Sequence, residues 1–387
     1  MIIAYAVYLI FLNDKYRFIS FIQIIFLFSN FFDVNWFFFG MENFKLTVTR
    51  NIIIKIISLI CIFLFVKSKD DLALYVFILG ASNLTSNLLL IPFLLKNIQV
   101  VHISFNDIKK NIKPIIILFI PIVAVSLYKI MDKIMLGILG NVNEVGIYEQ
   151  SEKIINMPLS LITALGTVML PRISNLIANG YYKSKVISYT QKSMKFSMFL
   201  SFPICFGLIA VSHIFIPIFL GNDFYKSIYV VYMLSPTIIF ISFANVIRTQ
   251  YLIPYEKDNI FIFSVVGGAI LNIIMNIILI PYLYSIGACI GTIMAEFFVV
   301  AFQTYFTKKE LPIKDYFSYA FEYFYKSIIM FLFAISVNLL PINNYVKFVL
   351  SIVCGVIVYI ILNFNYIKNM VKGKVIIWKY VLQELDM

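Results

Sequence analysis

The sequence predicts an all-α polytopic membrane protein with about eleven full transmembrane helices and one partial one. Three observations predict it. Apolar residues make up 61% of the chain and charged residues only 13%, against roughly 45–50% and about 25% in soluble globular proteins. Mean hydropathy is +0.93. The apolar residues are gathered into runs close to the ~20 residues that a bilayer-spanning helix needs.

In order, the predicted segments are 1–12 (partial), 18–40, 51–66, 72–95, 114–138, 154–171, 196–220, 228–247, 260–282, 286–306, 321–340 and 345–364. The first, MIIAYAVYLIFL, has neither a basic n-region nor a small-residue cleavage site, so it is not read as a signal peptide. Twelve residues at about 1.5 Å each cover about 18 Å of a ~30 Å core, and the segment reads as the tail of a helix whose beginning is missing. Pro121, Pro203, Pro217 and Pro236 fall within spans, where each removes a backbone hydrogen bond and favours a kink.

Assigning alternate loops to alternate sides places most of the lysines and arginines on one face, among them Lys45, Arg50, Lys109, Lys110, Arg172, Lys183, Arg248, Lys257 and Lys309. Positive loops mark the cytoplasmic side, so the C-terminus is predicted to be cytoplasmic. The net charge of +12 is then explained by loops facing anionic lipid, not by a nucleic-acid partner. The tail after Asn363 sets Val371, Val375, Trp378, Val381 and Leu382 among lysines. It reads either as a segment lying on the inner leaflet or as a solvated tail.

Catalytic chemistry has no visible support. The two histidines, His102 and His213, are far apart, and the four cysteines (Cys61, Cys205, Cys289, Cys354) lie in apolar runs without metal-ligand spacing or a disulfide framework. There is no Walker A motif. No metal or other cofactor is predicted.

What stands out is polarity within the spans. In LYKIMDKIMLG (127–137), Lys129 and Lys133 are four residues apart and share a helix face, with Asp132 beside them. The trio reads either as snorkelling lysines paired to Asp132 or as a cationic wall of a water-filled cavity. Glu296 lies near the middle of its segment with no base close in sequence, so it requires protonation, a partner from another helix or a structural hydrogen bond. Gly287, Gly291 and Ala295 precede it at a spacing of four, a close-packing stripe. Asp33 sits in the second segment with Asn30 and Asn35. Arg172 and Arg248 close two helices, as phosphate clamps or as plain positive-inside anchors. Two segments carry amide stripes, Asn83 with Asn87 and Asn272 with Asn276. These suit hydrogen bonding between helices or a polar cavity lining.

Four stretches resemble one family. DVNWFFFGMENFKLTVTRN (33–51), LYKIMDKIMLG with NEVGIYEQSEKI (143–154), LITALGTVMLPRISNL (161–176) and GACIGTIMAE (287–296) are similar to bacterial O-antigen and capsular repeat-unit flippases. These are the Wzx-type members of the MOP superfamily, which also holds the MATE drug exporters. The resemblance runs from near residue 20 to about residue 306. It implies a MATE-like bundle of two six-helix lobes followed by two further helices. Against that pattern the chain divides into an incomplete N-terminal lobe (1–112), a complete six-helix lobe (113–306), two additional helices (307–364) and a basic tail (365–387). An N-terminally shortened chain is the expectation.

The resemblance further implies alternating-access flipping of an undecaprenyl-diphosphate-linked oligosaccharide across the bacterial inner membrane, for O-antigen or capsule assembly. Membrane lipids and other polysaccharide-assembly proteins would be its partners. On that reading Lys129, Lys133, Arg172 and Arg248 are candidates for phosphate contact. Asp33, Asp132 and Glu296 are candidates for charge pairing or ion coupling, and Asn83, Asn87, Asn272 and Asn276 for a polar lining. A MATE-type drug or cation antiporter, a membrane-embedded polymerase and an inactive truncated product are the alternatives.

Overall fold

The computed structural model describes residues 5, 14–41, 44–99, 109, 112, 130–180 and 183–370. Lys129 and the tail from residue 371, with Trp378, lie outside the described residues, as does most of segments 1–12 and 114–138. The chain forms two compact units, residues 1–110 and 111–387. Ten helical stretches among the described residues are long and apolar enough to cross a bilayer, and the protein is a multi-pass membrane protein.

The first unit holds α1 (Asp14–Phe31), α2 (Asn35–Gly40), α3 (Phe44–Phe65), α4 (Leu72–Leu88) and α5 (Ile91–Leu95). The predicted segment 18–40 is not one helix. It breaks at residues 32–34, where Asp33 Oδ1 accepts both the backbone N–H (2.9 Å) and the side-chain amide (2.6 Å) of Asn35. A short carboxylate that bonds the backbone two residues on competes with helix continuation. Segment 51–66 is corrected to Phe44–Phe65, which moves Arg50 from a loop into a helix. Ile52, Ile53, Ile56, Ile60 and Phe63 are exposed, as expected for side chains that meet lipid rather than water.

The second unit begins, among the described residues, with a helix over 130–139, here α6. It continues with α7 (Val142–Ala178), α8 (Lys183–Phe219), α9 (Ser227–Leu234) and α10 (Thr237–Ile247), then a π-helical turn (Arg248–Leu252). The last four helices are α11 (Asp258–Leu283), α12 (Ser285–Thr307), α13 (Ile313–Ser336) and α14 (Asn344–Leu362). The sequence reading left residues 139–153 as a loop, but the α6–α7 connection is a turn at 140–141. Asn141 caps α7 by accepting the Glu144 N–H at 3.0 Å, one of the orphan donors of a helix start. Both α7 and α8 run for 37 residues, about 55 Å. They exceed an apolar core of ~30 Å because their polar ends are held by side-chain contacts that hydropathy does not register.

The tightest pairing joins α11 to α12. A Cβ on Gly287 would lie 2.6 Å from the Leu279 carbonyl, and one on Gly291 would lie 2.5 Å from Asn276 Oδ1. Ala295 packs at Gly268, one turn further along. Small residues every four positions let two backbones approach, and here the approach also aims the amides of α11 at α6. The helices α13 and α14 pack on α8, through Tyr316, Tyr323 and Tyr359 around Met194, Met198 and Phe202.

Candidate functional site

Asp132 projects from α6 and is 5% exposed. Its Oδ1 accepts the side-chain amides of Asn272 (2.9 Å) and Asn276 (2.6 Å) from α11. Its Oδ2 accepts the hydroxyls of Tyr148 from α7 (2.7 Å) and Thr292 from α12 (2.6 Å). Tyr148 and Thr292 also meet each other at 3.0 Å. A carboxylate sealed among four helices is tolerable only when its oxygens are satisfied, and here neutral donors satisfy them.

The amide stripe follows from helical spacing: Asn272 and Asn276 are four apart and both fully buried. Asn276 Nδ2 also bonds Asn272 Oδ1 at 3.1 Å. Among the described residues, Asn276 Oδ1 is a buried acceptor without a hydrogen-bond partner. The oxygens gathered here come from a carboxylate, two amides and two hydroxyls. As placed, the amides and hydroxyls point their hydrogens at the carboxylate, and a set of hard oxygen groups does not suit a soft transition metal. Among the described residues, no cluster of three or more His, Cys, Asp or Glu side chains has metal-binding geometry.

Lys133 does not bond Asp132 among the described residues. Its ammonium lies 2.8 Å from Glu149 and 3.0 Å from Glu152, both on α7, and Lys153 lies 3.4 Å from Glu149. One residue of helix turns the side chain by about 100°, so neighbours 132 and 133 face different surroundings.

Arg248 and Glu296 are close enough for their charges to interact. The Arg248 guanidinium also donates to Asn245 Oδ1 (2.7 Å) and sits over the Phe261 ring. Arg172 sits 5.0 Å from the Tyr189 ring centre, and its Nη2 is 3.4 Å from the Tyr189 hydroxyl. In the first unit Asn87 donates to Ser29 O (2.9 Å) and Ser29 Oγ (3.1 Å), a helix-to-helix bond, and Asn83 is exposed.

Several polar residues escaped the sequence reading. Arg50 is only 8% exposed. It donates to Asn35 Oδ1 (2.9 Å), to Asn51 Oδ1 (2.9 Å) and to the Ser86 carbonyl, and it feels the charge of Asp33. Its partners Asn35 and Asn51 stand in the same 33–51 stretch, which therefore folds back on itself. Tyr148 and Thr292 likewise lie inside the quoted stretches NEVGIYEQSEKI and GACIGTIMAE. At the α6–α7 end of the second unit, Glu144 bonds Lys226 and the Ser285 N–H. At the opposite helix ends, Glu310 bonds Lys183 (2.9 Å), Lys257 and the Tyr251 hydroxyl. Those donors, Lys257 foremost, hold the Glu310 carboxyl down to about 2 from an ordinary 4.5.

Fold and site together define a multi-pass α-helical membrane protein with a polar cluster sealed between four helices of its second unit. In the solved structure titled "Lipid II flippase MurJ, inward closed conformation", the same fold recurs with a TM-score of 0.70 and 18% identity, over 94% of this chain and 74% of that one. The chain belongs to the family described as "Polysaccharide biosynthesis protein", whose model matches residues 4–229, more than half of its length. It is 22% identical over 275 residues to the "Putative O-antigen transporter" of Escherichia coli (strain K12), covering 70% of this chain and 66% of that one. It is 25% identical over 287 residues to the protein of the same name in Shigella dysenteriae, covering 73% of this chain and 70% of that one. The chain thus spans about two thirds of the length of these relatives.

Proposed function

We propose that the protein flips lipid-linked oligosaccharide repeat units, carried on undecaprenyl diphosphate, across the bacterial cytoplasmic membrane. Its family and the transporters it resembles carry this reading. The physical problem matches. A diphosphate headgroup with its sugars cannot enter hydrocarbon unaided, because each unpaired charge there costs several kcal/mol or more. A protein path must replace the water, and lobe-against-lobe rocking would expose it to each side in turn. In this scheme helices from α6 to α12 act as one lobe, with α13 and α14 appended to it. The C-terminus faces the cytoplasm, in line with the positive loops.

Lys129, Lys133, Arg172 and Arg248 are the proposed phosphate contacts. Asp132 is the proposed coupling residue. Donors from three other helices already point at its carboxylate, so a proton or a monovalent cation arriving there would displace some of them and change the packing of four helices at once. Asn272 and Asn276 serve that carboxylate. Asp33 and Glu296 are the proposed charge partners of Arg50 and Arg248.

The test is complementation. The chain is expressed in a host that lacks its own repeat-unit flippase and carries a matching glycan pathway, and surface polysaccharide is measured. Restoration is expected with the wild type and not with Asp132→Asn at equal protein level. Failure of the wild type to restore export overturns the reading.

A further inference from the structure

We propose that Glu149 and Glu152 are exchangeable counter-ions that hold the Lys133 ammonium until an anionic diphosphate headgroup displaces them. This rests on the reading above and specifies how one of its phosphate contacts is kept ready.

Glu149 and Glu152 are three residues apart on α7 and face the same way. Two like charges at that spacing repel, and Lys133 sits on both, at 2.8 and 3.0 Å. Lys153 adds a second cation at 3.4 Å from Glu149. With these two lysines and two glutamates the group is neutral, so Lys133 offers no net attraction to an anion while both carboxylates stay in place. An ammonium has three donors, and two are committed.

Magnitudes separate this group from the Asp132 cluster only a residue away. The Lys133, Glu149 and Glu152 side chains are 25%, 34% and 25% exposed. Partly exposed ion pairs are weak, so water or another anion replaces them readily. Asp132 is bonded by four donors, three of them on the buried residues Tyr148, Asn272 and Asn276, and stripping those would leave buried polar groups unpaired. The Lys133 cluster is therefore the part that exchanges, and the Asp132 cluster the part that stays.

A diphosphate carries more charge than a single carboxylate and presents several acceptor oxygens to one ammonium. On its arrival Glu149 keeps Lys153, and Glu152 turns to water. Both carboxylates, released from Lys133, then flank the bound headgroup and repel it, Glu152 more than the Lys153-paired Glu149, which lowers its residence time. Neutral glutamines would keep the shape and hydrogen-bonding oxygen of the pair without that repulsion.

The experiment measures farnesyl diphosphate binding to the purified full chain in detergent. Glu152→Gln and the Glu149→Gln/Glu152→Gln pair are expected to tighten binding by about five-fold or more. In a Lys133→Gln background the same glutamine changes are expected to have no effect. Asp258→Asn, an equal charge change on an exposed residue, controls for net charge and is expected to leave affinity unchanged. A fixed structural staple predicts the reverse: lower thermal stability with unchanged or weaker binding, which overturns the proposal. If the wild type binds and Lys133→Gln weakens it, but the glutamine variants bind as the wild type does, the exchange alone falls. If neither the wild type nor any variant binds, the headgroup reading falls with it. The single Glu152→Gln variant, which leaves the Glu149–Lys153 pair intact, keeps the test usable if the double variant does not fold.

Discussion

Asn276 donates its side-chain amide to Asp132 Oδ1 at 2.6 Å, joining residues 144 positions apart in the chain. The bond runs from the fourth-last helix, α11, to the first described helix of the second unit, α6, and both partners are buried. It turns an isolated acid into part of a shared packing surface. Asp132→Asn and Asp132→Ala are therefore expected to differ. Asparagine keeps one acceptor oxygen but brings its own amide against the Asn272 and Asn276 donors. Alanine removes the acceptor that Asn272, Asn276, Tyr148 and Thr292 share; Thr292 keeps the Ala288 carbonyl and Asn276 keeps Asn272 Oδ1, and the loss is about 1–3 kcal/mol for each group left unpaired. Thermal unfolding in detergent is expected to show a larger loss for alanine. Complementation is expected to fall by tenfold or more in both. An asparagine variant with wild-type export would remove Asp132 from the coupling role.

Gly291 tests the same site from the other side. A Cβ there would stand 2.5 Å from Asn276 Oδ1, inside any real contact distance, so Gly291→Ala must push Asn276 off Asp132 or part α11 from α12. Overpacking of this kind typically costs about 1–3 kcal/mol. The outcome expected is a lowered unfolding temperature together with reduced export. Combining Gly291→Ala with Asn276→Ala, which vacates the contested volume, is expected to recover part of the stability but not the export. Equal destabilisation by the single and double variants would show that the clash lies elsewhere.

The sequence made the spans legible because hydropathy and length are local properties, and the Gly287–Gly291–Ala295 stripe because small residues at a spacing of four mean close packing. It also singled out Asp132, Asn272 and Asn276 as polar residues out of place. It could not show that these three meet, since 140 residues separate Asp132 from Asn272 and no local signal encodes that approach. Lys133 misled for the same reason. Its sequence neighbour Asp132 looked like its partner, whereas helix geometry hands it to Glu149 and Glu152. Arg50 was hidden by its position at the edge of an apolar run, where a boundary shift of a few residues turns a loop cation into a buried one. Tyr148 and Thr292 were present in the family-like stretches but carried no charge to draw notice.

Arg50 is expected to be the main structural polar residue of the first unit. It ties Asn35 on α2, Asn51 on α3 and the Ser86 carbonyl on α4, and hydrogen bonds to a charged group are worth about 1.5–3 kcal/mol. Arg50→Met is expected to lower the unfolding temperature and to expose α2 to limited proteolysis near Asp33. Arg50→Lys restores charge without the planar fork and is expected to recover only part of the loss. Full recovery by lysine would mean that charge alone, not the fork, holds these helices.

Glu310 gives the clearest dependence on pH. It lies between α12 and α13, outside the spans, and its carboxyl is held down to about 2 by Lys257, Tyr251 and Lys183. A depressed folded-state value means that the folded protein binds fewer protons than the unfolded chain between the two values. The stabilisation is thus fully present above the ordinary 4.5 and is lost as pH falls towards about 2. Glu310→Gln removes the titration. The difference in unfolding temperature between wild type and Glu310→Gln is expected to be constant from neutral pH down to about 5. Below that it is expected to shrink steadily. High salt is expected to narrow the gap at neutral pH, because Lys183 and Glu310 are partly exposed and screened by ions. A gap that stays level down to pH 3 would mean that Glu310 contributes through packing or a neutral hydrogen bond, and that the Lys183 and Lys257 contacts are incidental to it.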